Sequence, residues 1–551
     1  MTRNSSLPPL AHLVDSAGRA NVNRRDLVKI AGAAALAAGL SQALPGQGQV
    51  MAQPEKNAFI FGSGQDISNL DPHTGNDYSI TWGQRATYDS LLRFEGTPPV
   101  VKPLVAKEVT GSADALTWTI KLDERAVFPD ASKVDATVVQ WNFKRLLAKN
   151  KGVSWMFADV MTPDSVKIVD PATVEITLTK PFAPFDLILP WLFLANPALV
   201  AQHDAGGDDM GEKWLLENAA GSGPYTISRF EPGSIYQFDR RADYWFSIDS
   251  ITKPIDTFVW RIIRESSSKR IAIEAGEVQY GDVLAVEDAV ALGAEADGRF
   301  VLDSIASFAP FSVKLNNQAG PTADVNVRKA LAAALDYDAV LAAVSNRGQL
   351  MEGPLPVQLT PWHKTDLPVI RYDLDAARKF LAASAFASGF DLEYVYVTGI
   401  DIEEQVGLIL LEKLAEMNIN LTITPLVWPD LVARAADPAT SPGMLAVYGS
   451  ANYIDPDNFL WSAYHSSRVG SWSNASQYKN ADFDKLIVDA RTTVDPAARK
   501  TLYDQAQTML VNQAVEIWVY NEIPNEAWIK ELGKTGPNDA WSDIRMIQYT
   551  S

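Results

Sequence analysis

The run Asp324-Val325-Asn326-Val327-Arg328-Lys329-Ala330-Leu331-Ala332-Ala333-Ala334-Leu335-Asp336 sets the pattern for the rest of the chain. Asp324 precedes an amphipathic Ala- and Leu-rich stretch, which predicts an Asp-capped helix over 326–335. Just upstream, 311–315 is short, apolar and β-prone, and reads as a strand. The same alternation extends in both directions. Strands are predicted at 58–62, 116–122, 165–169, 173–179, 225–230, 257–263, 392–397 and 421–425. Helices are predicted at 135–147, 264–275, 375–383, 402–417, 482–493 and 497–511. Interleaved strands and helices without a repeat or a low-complexity linker argue for α/β lobes connected by strands that cross back and forth.

Composition excludes several functions. The 551 residues hold 48 Lys and Arg against 67 Asp and Glu, a formal charge of −19, and a sequence pI near 4.8. Such a chain is no nucleic-acid binder, because phosphate contacts draw on clustered Lys and Arg. With no cysteine it has no thiolate nucleophile, no Cys-ligated metal and no lipidated cysteine anchor. Hydrophobic residues make up 47% of the chain, enough for a folded core.

The N-terminus reads as a targeting segment. Asn23-Arg24-Arg25-Asp26-Leu27-Val28-Lys29 precedes an Ala-rich apolar run from Ile30 to Leu40, and a small-residue cleavage site follows at Ala52. The paired arginines resemble a twin-arginine export signal. The apolar run is too short to span a bilayer, which needs about 20 residues. Cleavage would remove five basic and two acidic residues, leaving 499 residues with a charge of −22.

No Walker A loop, Gly-x-Gly-x-x-Gly, His-Glu-x-x-His or EF-hand loop is present. The histidines at 73, 203, 363 and 465 are too scattered to suggest a metal site, so the expectation is no metal, no cofactor and no catalytic residue. One enzymatic alternative has the right order of motifs. Ser266-Ser267-Ser268-Lys269, Ser450-Ala451-Asn452 and Lys534-Thr535-Gly536 together match an exported Ser-x-x-Lys acyl-transferase or hydrolase. The last motif, however, lies in a turn-like setting instead of a strand.

Several further stretches fall into a known order. They are Asn69-Leu70-Asp71-Pro72-His73, Thr87-Tyr88-Asp89-Ser90-Leu91-Leu92, Pro103-Leu104-Val105-Ala106-Lys107, Leu116 to Leu122, and Val127-Phe128-Pro129-Asp130 through Leu147. Gly221-Ser222-Gly223-Pro224-Tyr225, Ala242-Asp243-Tyr244-Trp245, the Asp324–Asp336 run, Asp455-Pro456-Asp457-Asn458-Phe459-Leu460 and Asn480-Ala481-Asp482-Phe483-Asp484 complete them. Over residues 58–530 the chain thereby resembles the extracytoplasmic solute-binding proteins of ABC importers, the peptide, oligopeptide and nickel class (family five). Locally, Gly223-Pro224 reads as a rigid turn using positive φ, Tyr244-Trp245 as packing under a loop, Arg328 as an ion pair fixing a lobe, and Asp484 as helix-start chemistry.

The resemblance implies a two-lobed α/β periplasmic binding protein with an extra domain inserted in the first lobe and a ligand cleft between the lobes. The expected divisions are 53–90 (first lobe), 91–214 (inserted domain), 215–312 (first lobe), 313–514 (second lobe) and 515–551 (first lobe). It also implies a periplasmic monomer, not membrane-inserted, that passes a small-molecule or peptide ligand to ABC permease transmembrane subunits and catalyses nothing. In peptide binders of this family an Asp before the Asp-Pro-Asp-Asn-Phe segment pairs with the ligand's ammonium; here the matching position is Asn452. That neutral amide leaves a buried ammonium uncompensated unless Asp455 substitutes, which brings oligosaccharide or opine-like ligands into consideration beside peptides. The expected ligand-binding residues are Tyr448, Gly449, Ser450, Asn452, Tyr453, Asp455, Trp461 and Trp472.

Overall fold

The computed structural model describes residues 57–295, 297–449, 451–534 and 542–550, the last residue before the gap by its backbone alone. The targeting segment, Ser450, and Thr535 and Gly536 of the Lys-Thr-Gly motif lie outside the described residues.

Two mixed sheets organise the chain. In the seven-stranded sheet the order is Phe300–Leu302, Ala527–Ile529, Tyr280–Gly281, Ala58–Ser63, Thr257–Ile262, Ile235–Arg240, Tyr225–Glu231. Ala58–Ser63 runs parallel to Thr257–Ile262 in register Ala58 to Thr257. Its alternate side chains Phe59 and Phe61 join Trp82, Phe258, Trp260 and Tyr280 in an aromatic core. The six-stranded sheet runs Gly348–Leu350, Glu516–Glu522, Pro310–Leu315, Met444–Tyr448, Phe390–Val397, Ile419–Leu426. Pro310–Leu315 lies at its centre, antiparallel to both neighbours.

The predicted helix over 326–335 forms as Val325–Ala334, with Asp324 accepting from the Asn326 amide. Its Val327, Ala330, Leu331 and Ala334 are buried against the second sheet. Arg328 departs from expectation. Among the described residues it makes no ion pair; its guanidinium donates at 2.9–3.1 Å to the carbonyls of Thr322, Ala323, Gln513 and Ala514. The last two carbonyls lie just past the end of helix Pro496–Asn512, where intrahelical partners run out.

The chain passes between the sheets twice, between Leu302 and Pro310 and between Glu522 and Ala527. The two passages run side by side, Ser307 N donating to Glu522 O at 2.7 Å and Asp303 N to Glu526 O at 3.1 Å. Strand Glu516–Glu522 belongs to the second sheet, which moves the return passage downstream of residue 515. Its Glu-Ile-Trp-Val-Tyr run is apolar on both faces because it is covered on both, so alternation gives no signal.

A four-stranded antiparallel sheet, Ala106–Gly111, Thr117–Leu122, Thr173–Thr177, Val166–Asp170, with helix Ala136–Lys149 forms the intervening segment. A buried ion pair ties it to the N-terminal stretch: Arg145 donates to both Asp71 oxygens at 2.8 and 2.6 Å and to His73 Nδ1 at 3.0 Å. Its apolar core is continuous with residues of helices Pro456–Tyr464, Ala481–Thr492 and Pro496–Asn512.

Gly221 and Gly223 are needed for space, not for positive φ, which neither adopts. A Cβ on Gly223 would lie 2.4 Å from the Thr87 carbonyl carbon and 2.5 Å from the Tyr88 nitrogen. Beside them, Asp89 is a buried hub: it accepts from Ser222 Oγ, Tyr244 Oη, Trp245 Nε1 and Arg545 Nη2 at 2.7–3.0 Å. Tyr244-Trp245 is thereby structural.

Glu403, in helix Asp401–Ala415, is fully buried and accepts one bond, from Val397 N at 2.8 Å. Burial pushes its pKa up to about 7, a rise that the Val397 amide only moderates. Ionising it therefore costs more in the folded than in the unfolded chain. That cost is absent below the unfolded pKa, about 4.3, and grows until pH passes 7. Glu403→Gln is expected to raise unfolding free energy by about 2 kcal/mol at pH 8 and to give no gain at pH 4. Urea titrations at the two pH values measure the difference; an equal gain at both would contradict it.

Candidate functional site

A cavity of about 300 Å³ lies against the central strands of the second sheet. Ser312 and Lys314, Val447 to Gly449, and Glu516 and Trp518 line it from three neighbouring strands. Helix Pro456–Tyr464 contributes Asn458, Phe459, Ser462, Ala463 and Tyr464, and the following loop contributes Arg468, Ser471, Trp472 and Ser473. From the other side come Asn76 and Trp155, the latter 40% exposed.

The helix is placed by its first residues. Asp455 caps it through the Asp457 amide and Pro456 occupies the first turn, where a missing N–H costs nothing. Both aspartates then anchor it from below. Arg499 grips Asp455 with two bonds of 2.9 Å, and Arg491 lies 3.0 Å from Asp457, to which Tyr453 Oη also donates at 2.7 Å. Asn458 Oδ1 accepts from the Asn452 amide at 3.0 Å, and Trp191 Nε1 donates to Asn452 O at 2.5 Å, so the Asn452 loop is held from two sides.

Of the expected ligand-binding residues, Tyr448, Gly449, Asn452 and Trp472 line the cavity together. The Tyr448 ring packs 5.0 Å from Phe311, and its hydroxyl meets that of Tyr520 at 2.6 Å. Trp472 stands edge-on to Trp428 at 5.2 Å. Tyr453, Asp455 and Trp461 do not line it. Tyr453 and Asp455 are turned into the anchor just described. Trp461 is on the helix face opposite Phe459, sandwiched between the Arg491 guanidinium at 3.9 Å and the His465 ring at 3.8 Å.

Asn76, Trp155, Lys314, Arg468, Glu516 and Trp518 escaped sequence reading. One signal was available: a lysine inside the apolar strand 311–315 demands a buried partner. That partner is Glu516, both of whose oxygens lie 2.8 Å from Lys314 Nζ. Lys314 also stands 5.6 Å above the Tyr464 ring, and Trp518 Nε1 donates to Tyr464 Oη at 3.1 Å. The cavity floor is a closed polar network.

The Ser-x-x-Lys alternative has no support in the geometry. Lys269 is buried, donating to the carbonyls of Asp282 and Val283 and lying 3.4 Å from the Asp282 carboxylate. Ser266 donates to Asp288 at 2.5 Å instead. Among the described residues no group of three or more His, Cys, Asp or Glu is arranged to hold a metal, and no helix is long and apolar enough to cross a membrane.

Two α/β lobes joined by a double passage, with a cavity lined from both sides, define a cleft-type binding protein. The chain belongs to the bacterial extracellular solute-binding proteins of family 5, whose middle-region model matches residues 100–471. It is 26% identical over 492 residues to the probable D,D-dipeptide-binding periplasmic protein DdpA of Escherichia coli K12, covering 87% of this chain and 91% of that one. It is 25% identical over 482 residues to the glutathione-binding protein GsiB of Pectobacterium atrosepticum, covering 84% and 88%. In fold it is similar to NikA from Brucella suis in complex with Fe(III)-EDTA, with a TM-score of 0.77 and 21% identity over 90% of this chain and 100% of that one.

Proposed function

We propose that this protein is the periplasmic solute receptor of an ABC importer, which captures a small solute by lobe closure and delivers it to the permease. The observation that carries this reading is the cavity itself: Asn76 and Trp155 meet the second-sheet residues across it. A concave site with mostly apolar walls and a few placed polar groups suits reversible capture. Hinge closure between lobes is well attested for periplasmic binding proteins.

Under this reading residues 1–52 direct export by the twin-arginine route, and the cysteine-free chain works as a free monomer. The inserted domain is 91–214 and the second lobe extends to the passage after Glu522. Small peptides are the first reading, supported by the ligands named for the relatives, D,D-dipeptides and glutathione, with oligosaccharide and opine-like solutes as the second. The neutral Asn452 at the cavity wall favours that second reading.

The test is thermal-shift screening of dipeptides, N-acylated dipeptides, oligosaccharides and opine-like compounds on the wild type and Asn452→Asp. A ligand at ~1,000-fold above its dissociation constant should add about 4 kcal/mol to stability. Asn452→Asp supplies a counter-charge for an ammonium and is expected to tighten free-amine dipeptides about tenfold. An unchanged or weaker affinity across the dipeptides would remove Asn452 from the amine site. If scattering showed no compaction with a bound ligand, capture by closure would be wrong.

A further inference from the structure

Among the described residues three charged side chains line the cavity, and two of them neutralise each other: Lys314 and Glu516 form a bidentate pair on its floor. Arg468 is different. No ion pair or hydrogen bond reaches its guanidinium among the described residues, and its Nε is buried without a partner.

The backbone around Arg468 is fixed. The residue ends the short helical turn Ser466–Arg468, and its amide donates to His465 O at 2.8 Å. Its carbonyl accepts from Ser471 Oγ at 2.6 Å, and Ser471 in turn contacts Ser473 Oγ at 2.9 Å. The loop is closed at its far side by Asn474 Nδ2, which donates to Tyr478 O at 3.2 Å. The guanidinium is thus presented by an ordered loop.

A guanidinium stays charged at every physiological pH, so a partly desolvated one cannot escape its cost by losing a proton. Its planar fork matches a carboxylate with two parallel N–H···O bonds. The remainder of the wall offers no converse site: Glu516 is committed to Lys314, and Asn452 is neutral. The cavity therefore carries one uncompensated positive charge inside a protein whose net charge is −19. Trp155, Tyr448, Phe459, Trp472 and Trp518 supply apolar and aromatic surface for the body of a ligand.

We infer that the cavity selects a carboxylate-bearing solute, bound through Arg468, whose amine is absent or blocked. This rests on the cavity being the solute site. It would exclude simple neutral sugars and make a free N-terminal ammonium dispensable.

Matched probes test it: N-acetyl-Ala-Phe and its C-terminal amide, Ala-Phe and its amide, and glucuronic acid beside glucose, titrated by tryptophan fluorescence. Each acid that binds is expected to do so about tenfold or more tightly than its neutral counterpart. N-acetyl-Ala-Phe should bind at least as well as Ala-Phe. Arg468→Gln should abolish the preference for acids, Arg468→Lys should retain part of it, and the melting temperature of the ligand-free protein should hold in both. Neutral members binding as tightly as acids, or an acid preference surviving Arg468→Gln, would overturn the inference while leaving the cavity as the solute site. Silence from every acid would also overturn it, and silence from the neutral probes as well would weigh against the cavity reading too.

Discussion

Arg499→Met is expected to lower unfolding free energy by about 3–5 kcal/mol, because it strands the buried Asp455 carboxylate without a counter-charge. Asp455 is 1% exposed, and among the described residues Arg499 is the one cation paired with it, gripping both oxygens at 2.9 Å while also donating to Ala490 O at 3.0 Å. Methionine keeps an unbranched apolar stem but neither the charge nor the guanidinium that stands over the Trp362 and Tyr503 rings. The loss should be transmitted to the cavity. Asp455 caps the helix that carries Asn458, Phe459, Ser462 and Tyr464, so ligand affinity should fall along with stability. Urea unfolding of the single variant and of Arg499→Met with Asp455→Asn measures it. The double variant removes the stranded charge and should recover part of the loss. A single variant within 1 kcal/mol of wild type would show that water reaches the carboxylate and that the pair does not fix the helix.

Gly223→Ala should be at least as damaging, with a loss of about 3 kcal/mol or more. The added methyl would meet backbone atoms of Thr87 and Tyr88 at 2.4 and 2.5 Å, and backbone cannot rotate out of the way. The neighbouring Asp89 hub forces the contact, since four donors from three chain segments converge on it. Gly276→Ala is the informative comparison. Gly276 has φ +74 but open space around the position of its Cβ, so it should lose only about 1–2 kcal/mol. If the two variants lost the same amount by thermal melts, close approach would not be the reason for glycine at 223.

Much of the fold was legible locally. Val325–Ala334, Ala136–Lys149 and Ala481–Thr492 form where capped amphipathic patterns predict them, because cap and apolar stripe are both properties of adjacent residues. Strands Met444–Tyr448 and Glu516–Glu522 were missed, since burial on both faces erases the alternation that marks a strand. Arg328 had the right setting and the wrong partners. Asn480 caps its helix and Asp484 lies in its first turn, where it also accepts from the Ser466 amide at 2.9 Å.

The site divides in the same way. The stretch around Asn452 was found through its resemblance to the family segment that precedes Asp-Pro-Asp-Asn-Phe, yet the direction of each side chain was not in the sequence. On helix Pro456–Tyr464 the period of 3.6 turns Asn458, Phe459 and Ser462 to the cavity and Trp461 away, a phase that depends on which side Arg491 and Arg499 approach. The sequence by itself determined the α/β class, the absence of thiol chemistry and the neutral amide at 452. Tertiary structure alone decided that Glu516 neutralises Lys314 while Arg468 has no anion beside it among the described residues. The reason is that charge pairing across 202 residues of chain depends on which strands become neighbours, and neighbours are chosen by the packing of whole sheets, not by any local pattern.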